Sequence, residues 1–243
     1  MPSSPSRQDR LAALIAQPFA HRGLHGGGRI ENSRAAFEAA IAAGHGIELD
    51  VQASADGEAI VFHDYELERL TEGQGAVRSL GAAELGRIEL RGAEETIPTL
   101  AEILFLVDGR APLLIEVKSP RRRVAEISRS VMRALEGYRG PVAVMSFNPA
   151  IGRRFAAQAP DVLRGLVVTE EGHPWRRVLR RWLALWWSRA DFLAYDIRDL
   201  PSRFAAGRRE AGRKLLTWTV RSQDDRVRAA AFADQIIYET FPR

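Results

Sequence analysis

Nine short apolar runs punctuate the chain, and only one neighbouring pair lies too close together for a parallel connection. The runs fall at 18–21, 46–51, 59–64, 112–118, 141–147, 164–168, 192–196, 214–220 and 235–239. Helical patterns lie between most of them: Ser33 to Ala43 behind the capping-type Asn32, the segment behind Thr99, Val124 to Leu135, Pro149 to Gln158, Pro174 to Ser188 and Ser222 to Phe232. Strands alternating with helices read as βα units and a parallel sheet. Between Val51 and Ala59 there are only seven residues, Asp56-Gly57 among them. A parallel crossover needs about a dozen or more, so 46–64 is an antiparallel hairpin. Setting the return strand aside leaves eight strands. The expected fold is an α/β, eight-stranded (β/α) barrel of the TIM type, forming one domain over 1–243, with an antiparallel hairpin after the second strand. An open doubly wound sheet is the alternative; the first βα turn lacks the GxGxxG of a dinucleotide site.

Bulk properties exclude several classes. The 243 residues are 46% hydrophobic, with no run of about 18 apolar residues, so no transmembrane span is expected. The first seventeen residues, "MPSSPSRQDRLAALIAQ", carry one short apolar patch and no small-residue cleavage site, which does not read as a signal peptide. The expected compartment is the cytoplasm. There are no cysteines, hence no disulfides, thiolate metal sites or cysteine nucleophile. The pI is about 9.9 and the basic residues, mostly Arg, cluster after residue 120. That suits anionic substrates or surfaces without requiring nucleic acid.

The hairpin "GIELDVQASADGEAIVFHD" carries the chemistry. A strand period of two puts Glu48 and Asp50 on one face. Folding about Asp56-Gly57 brings His63 roughly opposite Asp50, within a residue of register. Other strands also end in polar residues: His21-Arg22 after 18–20, Glu116 and Lys118 two apart, Asp196, and Trp218 among the threonines of 214–220. In a βα barrel these ends form the mouth where active sites are built. Three carboxylates without thiolates make a hard-oxygen site, which predicts Mg²⁺ or Ca²⁺ on Glu48, Asp50 and Glu116. Arg22 and Lys118 beside such a metal look like a phosphate clamp. Two histidines, His21 and His63, remain to serve as acid and base. These parts suit metal-assisted hydrolysis of a phosphodiester.

The motifs "AHRG" (20–23), "IENSRAAFEAA" (30–40), the hairpin, "IPTLAEIL" (97–104), "LLIEVK" and "LLTWTV" together resemble the glycerophosphodiester phosphodiesterase family, in order and spacing, over nearly the whole chain. The resemblance implies the eight-stranded barrel, a divalent metal, and cleavage of small-molecule glycerophosphodiesters to sn-glycerol 3-phosphate and an alcohol. It places the family's acid and base on His21 and His63, its metal carboxylates on Glu48, Asp50 and Glu116, its Arg on Arg22 and its Lys on Lys118. Where the family has Pro-Glu-Asn-Thr this chain has Ile30-Glu31-Asn32-Ser33, so Glu31 and Asn32 are expected to order the mouth. Where the family's last strand ends in Thr-Asp this chain has Tyr238-Glu239-Thr240, and no role is carried over from that aspartate. Two rivals stand beside this reading: a membrane-associated lysophospholipase D or phospholipase of the same superfamily, and a non-catalytic phosphodiester-binding barrel.

Other residues have plainer readings. His25, His45 and His173 are expected to be structural, Asp64 to be an orienting partner or turn residue, and Arg121-Arg122-Arg123 a solvated helix start. Trp218 is either barrel packing or a wall for the substrate. In "PWRRVLRRWLALWWS" (174–188), apolar residues at 175, 178, 179, 182, 183, 186 and 187 form a helical stripe, with Arg176, Arg177, Arg180 and Arg181 on the opposite side. The favoured reading packs the stripe on the sheet, because an outer helix is needed between the strands at 164–168 and 192–196. The sharper one is a peripheral helix resting on anionic lipid at the inner face of the membrane.

Overall fold

The computed structural model describes residues 5–119, 123–170 and 174–239, with side chains of 174–178 left aside. Thus His173, Arg121, Arg122 and Thr240 lie outside the described residues, as do the side chains of Trp175, Arg176, Arg177 and Val178. In chain order the elements are α1 (Arg7–Leu14), β1 (Phe19–Ala20), α2 (Arg34–Ala42), β2 (Gly46–Ala53), β3 (Ala59–Val61), α3 (Ala82–Leu85), α4 (Leu100–Val107), β4 (Leu113–Val117), α5 (Val124–Leu135), β5 (Val142–Ser146), α6 (Pro149–Gln158), β6 (Leu163–Val168), α7 (Pro174–Ser188), β7 (Phe192–Asp196), α8 (Arg203–Glu210), β8 (Lys214–Val220), α9 (Gln223–Phe232) and β9 (Gln235–Tyr238). The sheet order β1-β9-β8-β7-β6-β5-β4-β2, closed by β1 on β2, is an eight-stranded parallel barrel. β3 lies outside it, paired antiparallel to β2 with Val51 opposite Val61 and Ala53 opposite Ala59. The turn between them needs Gly57, whose φ of +84° is open to glycine at little cost.

Pleating divides each strand between two cores. Ile47, Leu49, Val51, Ile115 and Val117 point outward into the layer beneath the helices. Phe19, Leu114, Met145, Leu163, Phe192 and Leu216 fill the barrel interior. The same interior cluster takes in Leu11 and Leu14 of α1 and the Ile15 that follows it. The short apolar patch near the N-terminus is therefore a plug against the barrel's lower end, a role its sequence pattern did not announce. Residues 65–98 form a small satellite core around Phe62, Leu67, Val77 and Leu90 under β3.

Two local expectations change. Ser33, not Asn32, caps α2, accepting a hydrogen bond from the Ala36 amide. Asn32 adopts φ +56° and its side chain is spent inside the barrel mouth instead. Thr99 does cap α4, in a reciprocal box with Glu102.

The larger correction concerns α7. Its inner face is Ala184, Leu185 and Ser188, with Leu185 at 6% and Ser188 at 1% exposure. The expected packing stripe points away from the barrel: Leu179 is 64% exposed, Trp182 43%, Leu183 54%, Trp186 76% and Trp187 42%. Helix α6 explains the choice. A Cβ on Gly152 would meet the Ser188 carbonyl oxygen at 2.7 Å, so α6 and α7 touch backbone to backbone. A large side chain at 188 would not fit that approach, and the tryptophans are turned outward.

Candidate active site

The barrel mouth gathers its charges from strand ends. On β2 and β4 the inward positions are in register, Glu48 beside Leu114 and Asp50 beside Glu116. The carboxylate oxygens of Glu48, Asp50 and Glu116 all lie within 4.8 Å of one another. Glu48 and Asp50 are buried. Burial, reinforced by the charges of Asp50 and Glu116, holds the Glu48 carboxyl well above the usual carboxylate range. Burial and the Asp50 charge push Glu116 up to about 8, against the pull of Lys118 and Arg22. Three acids this close cannot all ionise in a low-dielectric pocket without a cation among them. An all-carboxylate, buried donor set of this size fits a hard divalent ion.

Arg22 sits on the turn after β1 at φ +55°. Its amide donates to Glu48 Oε2 at 3.0 Å, its Nη1 donates to Glu31 Oε1 at 2.8 Å, and its Nε lies 3.2 Å from Asp50 Oδ2. That Nε is buried and makes no hydrogen bond of its own, so the guanidinium keeps donor capacity. Lys118 Nζ stands 3.7 Å from Asp50 Oδ1 and over the Tyr65 ring at 5.8 Å from its centroid. Asn32 grips Asp50 at both ends: its Nδ2 donates to Oδ2, and its Oδ1 accepts from the Asp50 amide, each at 3.2 Å.

Each histidine is backed by a carboxylate. His21 Nδ1 meets Glu239 Oε1 at 2.9 Å, leaving Nε2 3.9 Å from Glu48 Oε2. Arg221 clamps Glu239 through Nε at 2.7 Å and Nη2 at 2.8 Å. His63 Nδ1 meets Asp64 Oδ1 at 2.7 Å. Arg69 Nε donates to Asp64 Oδ2, and its two Nη atoms donate to Glu31. A carboxylate can only accept, so each Nδ1 carries a hydrogen and each Nε2 is left to exchange a proton. Burial lowers both imidazoles below the ordinary histidine value, against the upward pull of Glu239 on His21 and of Asp50 on His63. Glu239 is held far below the usual range by its bond to His21, with Arg221 adding to it.

Sequence reasoning gave a role to every charged member of this cluster except Glu239, Arg221 and Arg69. Glu239 stands at the end of the last strand, where the motif departs from the family's and no role was carried over; no spacing signal points to Arg221 or Arg69. Asp64 does orient His63, as expected. Trp218 packs in the barrel: its Nε1 donates to the Ala194 carbonyl at 3.0 Å, and its ring meets Phe147 edge-on at 5.5 Å. A cavity of about 470 Å³ opens beside Glu116 and Lys118, walled by Tyr65, Phe147 and Pro149. A larger cleft, about 810 Å³, lies at the opposite end between α1 and the residues before β7 and β8. Its Arg7 is spent on Asp191, and it holds no cluster able to bind a metal among the described residues, so the mouth is the candidate site. His45, expected to be structural, bonds Tyr238 at 2.6 Å.

Comparison with known proteins agrees. The profile of the Glycerophosphoryl diester phosphodiesterase family matches residues 21–239. The chain is 33% identical over 211 residues to a glycerophosphodiester phosphodiesterase of Caldanaerobacter subterraneus subsp. tengcongensis, covering 80% of this chain and 82% of the relative. Among solved structures it resembles an Oleispira antarctica phosphodiesterase bound to the product sn-glycerol-3-phosphate, with TM-score 0.81, 24% identity, and 93% and 94% of the two chains covered. A putative glycerophosphoryl diester phosphodiesterase from Silicibacter pomeroyi follows at TM-score 0.78 and 25% identity, covering 90% and 88%.

Proposed function

Since the chain belongs to the glycerophosphoryl diester phosphodiesterase family, we infer the role of each group at its mouth from the geometry above. The protein is a phosphoric diester hydrolase that cleaves glycerophosphodiesters. We read the chain as one domain, with sn-glycerol 3-phosphate and an alcohol as products.

The observation that carries the site assignment is the convergence of three buried carboxylates within 4.8 Å. Glu48, Asp50 and Glu116 would hold a divalent ion, Mg²⁺ or Ca²⁺. Bound there, the ion supplies Lewis acidity to a phosphoryl oxygen. Arg22 and Lys118 bind phosphate charge. Glu31 and Asn32 hold Arg22 and Asp50 in place. One histidine accepts at Nε2 the proton of the attacking oxygen as it bonds to phosphorus, while the other gives its Nε2 proton to the leaving alcohol oxygen as the P–O bond breaks. The attacking oxygen is either water or the neighbouring glycerol hydroxyl, whose cyclic product water then opens to the monoester. Trp218 and Phe147 wall the space beside the reacting phosphorus. The site's intact acid–base pair speaks against a non-catalytic barrel.

We place the enzyme in the cytoplasm, in lipid and glycerol metabolism, with a peripheral contact to the inner face of the membrane through 174–188. The outward tryptophans support a surface contact there.

Release of glycerol phosphate and alcohol from a panel of glycerophosphodiesters and lysolipids, with Mg²⁺, Ca²⁺ or EDTA, tests the reading. Turnover that needs the added ion and fails in Glu48→Ala is expected. Full activity in EDTA after exhaustive dialysis would remove the metal assignment, and preference for lysolipids would favour the phospholipase rival.

A further inference from the structure

We propose that the outer face of α7 is a docking surface for anionic lipid, seated by Leu179, Leu183, Trp186 and Trp187 and held by arginines. The first observation is opposition. At about 100° per residue, Leu179, Trp182, Leu183, Trp186 and Trp187 share one arc of the helix. Ala184, Leu185 and Ser188 occupy the other side and pack on the barrel. Apart from Trp182, which meets α8, the apolar stripe is thus surplus to folding. Three tryptophans between 42% and 76% exposed on one helix form a contiguous apolar patch, which monomeric surfaces rarely carry without an occupant.

Charge selects the occupant. Residues 174–190 contain no acid. Arg180, on the same helix, is exposed, and Arg208 of α8 stacks over Trp182 at 3.8 Å from its ring centroid. Trp182 also meets Phe204 edge-on at 5.8 Å. Arg181, by contrast, is turned inward against Phe204 and Glu170 and takes no part. A tryptophan-rich, acid-free surface rimmed by arginine matches an anionic bilayer surface, where indole rings settle at headgroup depth and guanidinium groups meet lipid phosphate. A second copy of the chain would bring the same cations into opposition, which disfavours it.

The location bears on substrate supply. α7 follows the mouth end of β6 and runs back along the barrel wall, so a bilayer against its outer face lies beside the barrel. This extends the hydrolase reading and rests on it only for the meaning of the contact, since docking itself requires no turnover.

The test is co-sedimentation of the full chain with phosphatidylglycerol-containing and with purely phosphatidylcholine vesicles, at low and high salt, alongside light scattering of the free protein. Binding to the anionic vesicles that weakens with salt is expected. Trp186→Ala with Trp187→Ala should weaken it by about tenfold or more, the scale of removing two large apolar side chains from an interface. Arg180→Glu should weaken it by at least about fivefold, the scale of one basic residue near an anionic surface. All variants should hydrolyse a water-soluble glycerophosphodiester at the unaltered rate, which certifies their folding. No sedimentation at low salt, binding indifferent to these substitutions, or a dimer that the tryptophan pair dissolves would each overturn the proposal. Failure of the unaltered chain to hydrolyse any soluble diester would count against the hydrolase reading alone.

Discussion

Nδ1 of His21 lies 2.9 Å from Oε1 of Glu239, and both oxygens of that carboxylate are held by Arg221. His63 is backed in a similar way, by Asp64, whose other oxygen accepts from Arg69 Nε while the remaining Arg69 nitrogens go to Glu31. Each imidazole is therefore fixed in tautomer and in direction before substrate arrives.

Replacing Glu239 by Gln should lower kcat by about 10²–10⁴-fold, because the imidazole loses the carboxylate that fixes its tautomer and direction, with KM little changed. Glu239→Asp should recover part of the loss, because the same bond can form from a shorter arm. Arg221→Ala should fall in between. Steady-state kinetics on a soluble diester decides it; unaltered kcat in Glu239→Gln would show that the bond is only structural.

His21→Ala and His63→Ala should each lose about 10²–10⁴-fold in rate. His45→Ala should not, since His45 is engaged with the Tyr238 hydroxyl outside the mouth. Near-normal turnover in either of the first two variants would reject that histidine's assignment.

The metal-free protein should become less stable as pH rises from about 5 to about 8. Glu48 and Glu116 are raised in the folded state, Glu116 to about 8. Their contribution is intact below the unfolded carboxylate value of about 4.3 and is lost as pH climbs through the folded value, since the unfolded chain ionises first. A divalent ion should reverse the trend, raising Tm more at pH 8 than at pH 5. Calorimetry with and without EDTA measures this. A metal-independent Tm across the range would contradict the site.

On α7, Leu185→Ala should cost about 2–5 kcal/mol as a core truncation, whereas Trp182→Ala should cost far less than the 3–5 kcal/mol of a buried tryptophan. Chemical denaturation of the two variants reads this directly. A large loss from Trp182→Ala would mean that the stripe packs after all.

The sequence by itself determined the barrel, the hairpin and most of the mouth. A loop of seven residues between Val51 and Ala59 leaves no room for a crossover, and a period of two places Glu48 with Asp50, and Glu116 with Lys118, whatever surrounds them. Tertiary structure decided what periodicity leaves silent. A stripe on a helix marks a face but not what that face meets. Gly152 brings α6 so close to Ser188 that the small side of α7 goes inward and its tryptophans go out. Glu239, clamped by Arg221, becomes the partner of His21 only when β9 closes beside β1, joining residues more than two hundred positions apart. Asn32 leaves its cap to Ser33 because the neighbouring strand offers it the two ends of Asp50. Contacts of this kind are set by the closing of the sheet, and local sequence spacing carries no record of them.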